Sequence, residues 1–203
     1  MIATTEVLPA RDTSDGTIRR IYEEALKLFA ERGYHGTSVR EIADACGIKP
    51  SSIYAHFPSK EQILHDLILA GHEEHHERLR NALLDAGADP SDQLRAVVGA
   101  HVRMHAELPM LATVANNELH VLRPDVAKPI TEIRDRAVQM IVDVIDRGVR
   151  LGRFHCEDTF LATAMLGAAG IRVAVWLPGD RTYDVERVVE AYADYALKLV
   201  SAA

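Results

Sequence analysis

The residues best suited to chemistry in this sequence are His72, Glu73 and His76, which form the pattern H-E-x-x-H. On a helix the two histidines lie one turn apart on the same face and can chelate zinc, while the glutamate can act as a general base. A zinc-dependent peptidase is therefore one hypothesis. Catalytic zinc also needs a third protein ligand, and the residues after His76 offer neither a glycine turn with a histidine nor a helix with a matching glutamate. We predict that the protein is not an enzyme and keep the peptidase as the alternative.

Four other polar side chains interrupt apolar stripes of predicted helices. They are His101, His105, Glu118 and Arg172. Burying such groups without partners is costly, so each must either be hydrogen-bonded inside the fold or face a cavity. We predict that the four line an effector pocket, which would hold a mostly apolar small molecule with a polar or anionic end. The alternative, that each is an ordinary buried and satisfied side chain, stays open.

The same histidines also allow a metal-sensing regulator, because imidazole is a common ligand of first-row transition metals. A regulatory ion held by His101, His105 and a residue such as His72 or His76 is kept as an alternative. Our primary prediction includes no cofactor and no metal.

Residues 37–60 are suited to a different task, because their pattern fits two short helices joined by a tight turn. Ser38 and Glu41 form a capping box that begins the first helix, and Gly47 can adopt the left-handed conformation that ends it. Pro50 suits the first turn of the second helix, where its missing N–H needs no partner. The segment therefore predicts a helix-turn-helix.

The second of these helices presents a face suited to a DNA groove. Ile53 and Phe57 would be buried, so the outward face carries small polar residues, an aromatic hydroxyl and a histidine. Ser59 and Gln62 form a second capping box, which begins a long helix that continues to about residue 86. Lys60 lies in the first turn of that helix, where free N–H groups and a cation can hold a phosphate.

These features resemble the DNA-binding domain of TetR-family transcriptional regulators over residues 21–64. The matching runs are A25-L-K-L-F29-A-E-R-G33-Y, T37-S-V-R-E-I42-A43, G47-I and S52-I-Y54-A-H-F57-P-S-K60. The resemblance implies that Thr37, Ser52, Tyr54, His56 and Lys60 contact DNA backbone or bases. With their outward-facing neighbours, the predicted DNA-binding residues are Thr37, Ser38, Arg40, Lys49, Pro50, Ser51, Ser52, Tyr54, His56 and Lys60.

The resemblance also implies how the protein works. A TetR-like regulator would be a ligand-responsive homodimer, here expected to be a repressor, with an effector pocket in its C-terminal body. Its two heads, about one DNA turn apart, would read a pseudo-palindromic operator.

The last two long apolar stretches, residues 158–177 and 183–200, are the predicted dimer interface. Ala164, Gly167, Ala168 and Gly170 give the first stretch a face of small residues that lets another helix approach closely. Packing of this face within one monomer is the alternative that the pattern alone leaves open. TetR-like proteins pair the corresponding helices in a four-helix bundle with a second copy, and the resemblance favours the dimer.

No run of alternating β-branched residues indicates a strand, so the predicted fold is all-α, with a three-helix N-terminal head and a larger helical body. We expect a mobile tail over residues 1–12, the DNA-binding head over residues 13–60, and the effector-binding and dimerisation body over residues 61–203. The net charge is −7, yet residues 1–60 carry 8 basic and 8 acidic side chains, so the acidic excess lies in the body. DNA affinity is therefore expected to depend on a few placed cations.

The composition, with 48% hydrophobic and 26% charged residues, is typical of a globular protein. Met1 to Arg11 lack the basic start and long apolar core of a secretory signal, two cysteines are too few for a disulfide framework, and no segment is apolar enough to cross a membrane. A cytoplasmic location is expected. The expected partners are double-stranded DNA, a second copy of the chain and a small-molecule effector, and no membrane.

Overall fold

The computed structural model describes residues 8–9, 16–180 and 182–200, and this part of the chain is helical without a strand. The helices are α1 (Gly16–Arg32), α2 (Val39–Cys46), α3 (Pro50–His56), α4 (Lys60–Asp85), α5 (Pro90–Glu107), α6 (Pro109–Asn117), α7 (Pro124–Arg150), α8 (Thr159–Trp176) and α9 (Val185–Val200). Two short 3₁₀ turns, Leu119–Val121 and Leu177–Gly179, follow α6 and α8. The predicted all-α fold is confirmed.

The chain divides into two compact units. The head unit comprises residues up to His72 together with Met110–Ile130, and the body unit comprises Glu73–Pro109 and residues from Thr131 onward. The helix α4 continues from the head unit into the body unit, so neither unit coincides with the predicted boundary at residue 60. The predicted tail, residues 1–12, lies outside the described residues except for Leu8 and Pro9, which line a small cavity with Tyr22.

Local capping explains where the two helices of the helix-turn-helix begin and end. The Ser38 hydroxyl accepts the Glu41 N–H, and the Glu41 carboxylate accepts the Ser38 N–H, so the predicted capping box is present. Gly47 ends α2 in the left-handed conformation, with φ of 65°. Pro50 is the first residue of α3, and its fixed φ suits that position.

The second predicted capping box is only half formed. The Ser59 hydroxyl accepts the N–H of Gln62 at 3.1 Å, as expected of a cap. The Gln62 amide does not complete the box, because it donates to the Asp66 carboxylate at 2.8 Å one turn further along the helix. A partner at i+4 on the same face has replaced the reciprocal bond to the cap.

The core of the body unit forms where α5 packs against α8 and α9. Branched aliphatic side chains fill it, including Leu94, Val97, Val102, Leu166, Val173 and Val189. Two glycines allow close approaches that no other residue would permit. A Cβ at Gly148 would lie 2.0 Å from the Phe154 ring, and a Cβ at Gly170 would lie 2.2 Å from the His101 ring.

The helix α8 keeps a strip of large apolar side chains in contact with solvent. Phe160 and Leu161 are more than 60% exposed, and Met165 and Val175 are more than 50% exposed. The segment Thr159–Gly179 is also long and apolar enough to cross a membrane by composition, which corrects the expectation that no such segment exists. The predicted small-residue face is divided: Ala164 and Ala168 lie on the exposed strip, whereas Gly170 faces α5.

Candidate DNA-binding surface and buried histidine cluster

The helix α3 presents the polar face that the sequence predicts. Ile53 is buried under the helix, while Tyr54 is 56% exposed and both Lys49 and His56 are exposed. Pro50 and Ser51 are exposed as well, and Ser52 is half-buried. One short helix, packed onto the head through Ile53, thus presents polar side chains and the Tyr54 phenol to solvent, an arrangement that fits the major groove of DNA.

The first turn of α2 adds two of the predicted residues. Ser38 is exposed, but its hydroxyl is engaged in the cap with Glu41. Arg40 is also exposed, with its guanidinium 4.0 Å from the Asp44 carboxylate. Exposed ion pairs of this kind contribute little to stability, so Arg40 can exchange Asp44 for a phosphate at small cost.

Thr37, a predicted DNA contact, is instead part of the head core. Its side chain is 2% exposed, and its hydroxyl donates to the carbonyl oxygens of Gly33 at 3.0 Å and Leu28 at 3.3 Å, both near the end of α1. A side chain buried in this way orients the loop between α1 and α2. The DNA contact that the resemblance implies for Thr37 therefore does not extend to its side chain.

Lys60 is likewise held by the protein. Its ammonium group donates to the carbonyl oxygens of Tyr34, at 2.7 Å, and Thr37, and it lies 3.9 Å from the centroid of the Tyr34 ring. Burial lowers the pKa of Lys60. The predicted phosphate-binding cation therefore has a structural task as well, since it joins the first turn of α4 to the α1–α2 loop.

We expect Thr37→Val to lower the free energy of unfolding by about 1–2 kcal/mol, because the buried hydroxyl donates its one proton to the two carbonyl oxygens in a bifurcated hydrogen bond that valine cannot make. DNA affinity well below the unfolding temperature should change less than about twofold, since the side chain does not reach the surface. Tyr54→Phe, which removes an exposed hydroxyl, should lower DNA affinity and leave the free energy of unfolding nearly unchanged. Thermal unfolding and DNA-binding titrations of both variants check this, and a large affinity loss in Thr37→Val at unchanged stability would restore Thr37 as a contact.

The four residues predicted to line an effector pocket do not form one group. Glu118 belongs to the head unit, where its carboxylate accepts the Tyr34 N–H at 3.3 Å. Arg172 is exposed on α8, on the same strip as Met165. His101 and His105 remain together on α5, where both are buried. The predicted pocket is thus corrected: Glu118 binds the loop after α1, and Arg172 belongs to the exposed strip of α8.

His101 and His105 are joined by His75 from α4, a residue that the sequence analysis did not single out. The Nε2 atom of His75 lies 2.8 Å from Nδ1 of His101, and the ring centroids of His101 and His105 are 4.5 Å apart. Burial, with a smaller contribution from the neighbouring His105, lowers the pKa of His101 to about 3; burial also lowers the pKa of His105. The α5 pair is therefore neutral at neutral pH. We call these three residues the histidine cluster.

The histidines of the H-E-x-x-H pattern have partners of their own. His72 is buried, and its Nε2 lies 3.2 Å from the Ala115 carbonyl oxygen, where it must donate because the oxygen can only accept. His76 is half-buried near Arg80 and Arg136; burial lowers its pKa, and the arginines add to the effect. Neither belongs to a group of three metal-ligating side chains within the described parts of the chain.

A surface groove crosses α4, α5 and α9 in the body unit, with a floor of small residues such as Ala96, Gly99 and Ala100. Three arginines line it, and each is paired with acids. Arg78 binds Glu74 and Glu107, Arg95 binds Asp194, and Arg103 binds Glu186 and Glu107. Because carboxylates already neutralise the arginines, the groove offers an anion no excess positive charge.

Both parts of the chain match known families. Residues 21–67 match the family described as bacterial regulatory proteins, tetR family, and residues 87–200 match the family described as tetracyclin repressor-like, C-terminal domain. The first match covers α2 and α3 entirely, and the second covers α5 to α9.

Several known proteins are also similar to this chain over most of its length. The HTH-type transcriptional repressor KstR2 of Rhodococcus jostii (strain RHA1) is 29% identical over 194 residues, which cover 93% of this chain and 94% of that protein. The fatty acid metabolism regulator protein of Bacillus subtilis (strain 168) is 27% identical over 168 residues, or 82% of this chain and 86% of that protein. A crystal structure of a tetR-family bacterial regulatory protein from Rhodococcus RHA1 has a TM-score of 0.86 at 30% identity and covers 93% of this chain and 99% of that chain. These relatives regulate transcription, so the peptidase alternative is excluded.

Proposed function

Since the chain belongs to the TetR family of bacterial regulatory proteins, we propose that it is a cytoplasmic repressor that binds a pseudo-palindromic operator as a homodimer and releases it when a small effector binds the body unit. A role as a ligand-responsive regulator of transcription follows from the family. The observation that carries the finer proposal is the exposed polar face of α3, supported from below by buried Ile53.

In the proposed operator complex, some exposed residues contact phosphates and others contact base edges. Lys49, at the N-terminus of α3, and Arg40, at that of α2, supply cations for phosphates. Ser51, Tyr54 and His56 project from α3 toward base edges and the adjacent backbone. With 8 basic and 8 acidic residues in positions 1–60, the head gains affinity from these placed groups and needs a second head to bind tightly.

The proposed dimer explains the exposed strip on α8. Phe160, Leu161, Met165 and Val175 are large, apolar and solvent-exposed in a single copy of the chain. A surface of this kind on a regulatory protein is typical of an interface, and a two-fold related copy would cover it with the same strip. Tyr195 extends the surface onto α9, where it is 60% exposed. The pairing of α8 and α9 with their counterparts then gives a four-helix interface.

The proposed effector is a lipid-derived molecule, mostly apolar with a polar or anionic end. This assignment is supported by the similarity to a regulator of fatty acid metabolism over more than four fifths of the chain. An effector can only shift the DNA-binding equilibrium by binding the two states of the repressor unequally. We place this binding in the body unit and propose that α4, which continues into the head unit, carries the change to the operator-binding surface.

Selection of bound sequences from random duplex DNA, followed by competition, tests this proposal. We expect enrichment of two inverted half-sites about one helical turn apart. Long-chain fatty acids or their thioesters should then lower affinity for the selected duplex at least about tenfold, whereas a short-chain acid of equal charge should not. An enriched sequence without inverted symmetry would contradict the dimeric operator, and an affinity unaffected by any long-chain acid or thioester would contradict the effector class.

A further inference from the structure

We propose that His75, His101 and His105 bind one divalent first-row transition-metal ion, of which Zn²⁺ is the representative case. One ring nitrogen from each residue can be chosen so that the three lie within 4.8 Å of one another. The site would join α4 to α5 inside the body unit. The proposal concerns the protein alone and holds or fails independently of the proposed operator and effector.

The backbone fixes which nitrogen each α5 histidine can offer. Nε2 of His101 lies 3.1 Å from the Gly167 carbonyl oxygen and Nδ1 of His105 lies 2.8 Å from the His101 carbonyl oxygen. A carbonyl oxygen only accepts, so both nitrogens carry protons. The lone pairs then reside on Nδ1 of His101 and Nε2 of His105. Metal-binding histidines characteristically direct their other ring N–H to a carbonyl in this way, which fixes the tautomer before the ion arrives.

His75 already points its ring at the lone pair of His101. Its Nε2 lies 2.8 Å from Nδ1 of His101 and must donate there, because that nitrogen accepts. Binding of an ion between the two rings would require His75 to move its proton to Nδ1, so that Nε2 becomes the third ligand. The three rings are close enough to share one ion, since the ring centroid of His75 lies 5.0 Å from that of His101 and 5.6 Å from that of His105.

The distances require only side-chain adjustment. Zinc–nitrogen bonds of about 2.0–2.1 Å in a tetrahedral site separate the ligand nitrogens by about 3.3–3.4 Å. The His75–His101 pair, at 2.8 Å, would open by about half an ångström, while separations up to 4.8 Å would close by at most about 1.5 Å. The His101 ring already packs against α8 at Gly170, so closely that it fills the space a Cβ would need there. The ring movement needed to bring the three nitrogens together therefore falls mainly on His75.

The chemistry of the donors selects the ion. Three imidazoles without a carboxylate suit zinc, nickel, cobalt or copper and disfavour magnesium and calcium, which prefer oxygen. Three protein ligands leave at least one coordination position for water or another small ligand.

Metal titration of the 203-residue chain, without an affinity tag and after treatment with a chelator, tests the site. We expect one equivalent of Zn²⁺ per chain by equilibrium dialysis, and a visible absorption spectrum of bound Co²⁺ typical of four or five ligands. His75→Gln should lower the affinity at least about 100-fold, because it removes one of the three ligands. His76→Gln is the matched control, because it changes the next residue of the same helix and removes half of the H-E-x-x-H pattern; it should retain the bound equivalent.

The outcomes separate the histidine cluster from other sites. Zinc should raise the unfolding temperature of wild type and His76→Gln but not of His75→Gln, with circular dichroism confirming that all three are folded. Failure of the wild-type chain to bind one equivalent would overturn the proposal. So would loss of binding in His76→Gln with retention in His75→Gln, which would assign the ion to the H-E-x-x-H pattern, or equal binding by both variants, which would place it elsewhere.

Discussion

Met165→Asp is expected to convert the proposed homodimer to a monomer and to lower operator affinity at least about 100-fold. Met165 is 54% exposed in the single chain and lies between Leu161 and Ala168 on the apolar strip of α8. In a two-fold interface the new carboxylate would meet apolar side chains and its own copy, and an ion in such a place loses its hydration without gaining a partner. A monomer would then bind with one head and lose the gain that linked binding sites provide, about 10²–10⁴-fold.

Sedimentation velocity and DNA-binding titration measure the two effects on the same sample. Leu84→Asp is the control, because Leu84 is 73% exposed on α4 and the substitution introduces the same charge away from the strip. It should leave both mass and affinity unchanged. A Met165→Asp protein that remains dimeric, or an equal effect of the two substitutions, would exclude the α8 strip as the interface.

Lys49→Glu is expected to lower operator affinity by about 10- to 100-fold, corresponding to roughly 1.4–2.8 kcal/mol. Lys49 is exposed immediately before the first residue of α3, and its backbone is extended there as the helix N-cap. Loss of the cation removes one phosphate contact, and the carboxylate adds repulsion from the DNA backbone. The slope of log affinity against log salt concentration should become shallower by about one for each head.

Lys128→Glu provides the comparison, because it makes the same change of charge at an exposed position of α7, outside the helix-turn-helix. It should shift affinity by less than about threefold, with an unchanged salt slope. Equal losses in both variants would mean that net charge governs binding. No loss in Lys49→Glu would remove α3 from the DNA-binding surface.

Local signals were enough to predict the helices of the head. The capping box of Ser38 and Glu41, the left-handed Gly47 and the first-turn Pro50 each act within four residues, so their effect does not depend on the rest of the fold. Gln62 marks the limit of such reasoning. Its side-chain amide can reach either the backbone at the cap or the carboxylate of Asp66, and it donates to Asp66.

Side-chain direction could not be predicted as well, because it depends on contacts between distant segments. The resemblance implies that Thr37 and Lys60 contact DNA, and the first-turn position of Lys60 also predicts a phosphate contact. In the structure, both residues hold the loop between α1 and α2. His75 was overlooked because its neighbours His72 and His76 form a familiar motif, whereas its own partners lie 26 and 30 positions further along the chain. Only the packing of α4 against α5 brings the histidine cluster together.

The direction of the Arg172 side chain in the body unit could not be predicted from the sequence either. It interrupts an apolar stripe in the sequence, which suggested a ligand pocket, but the structure places it on the exposed face of α8. An apolar stripe indicates that a helix face will be covered without saying whether the cover comes from the same chain or from another. Which surface covers that face depends on how copies of the chain assemble.

The number of chains bound to each DNA duplex shows whether two copies of this chain read one operator. Sedimentation equilibrium on a selected duplex should give two chains per operator, and scrambling one half-site should weaken binding at least about 100-fold rather than halve the stoichiometry. A single chain bound to the intact duplex, with affinity unchanged when one half-site is scrambled, would contradict operator recognition by a dimer.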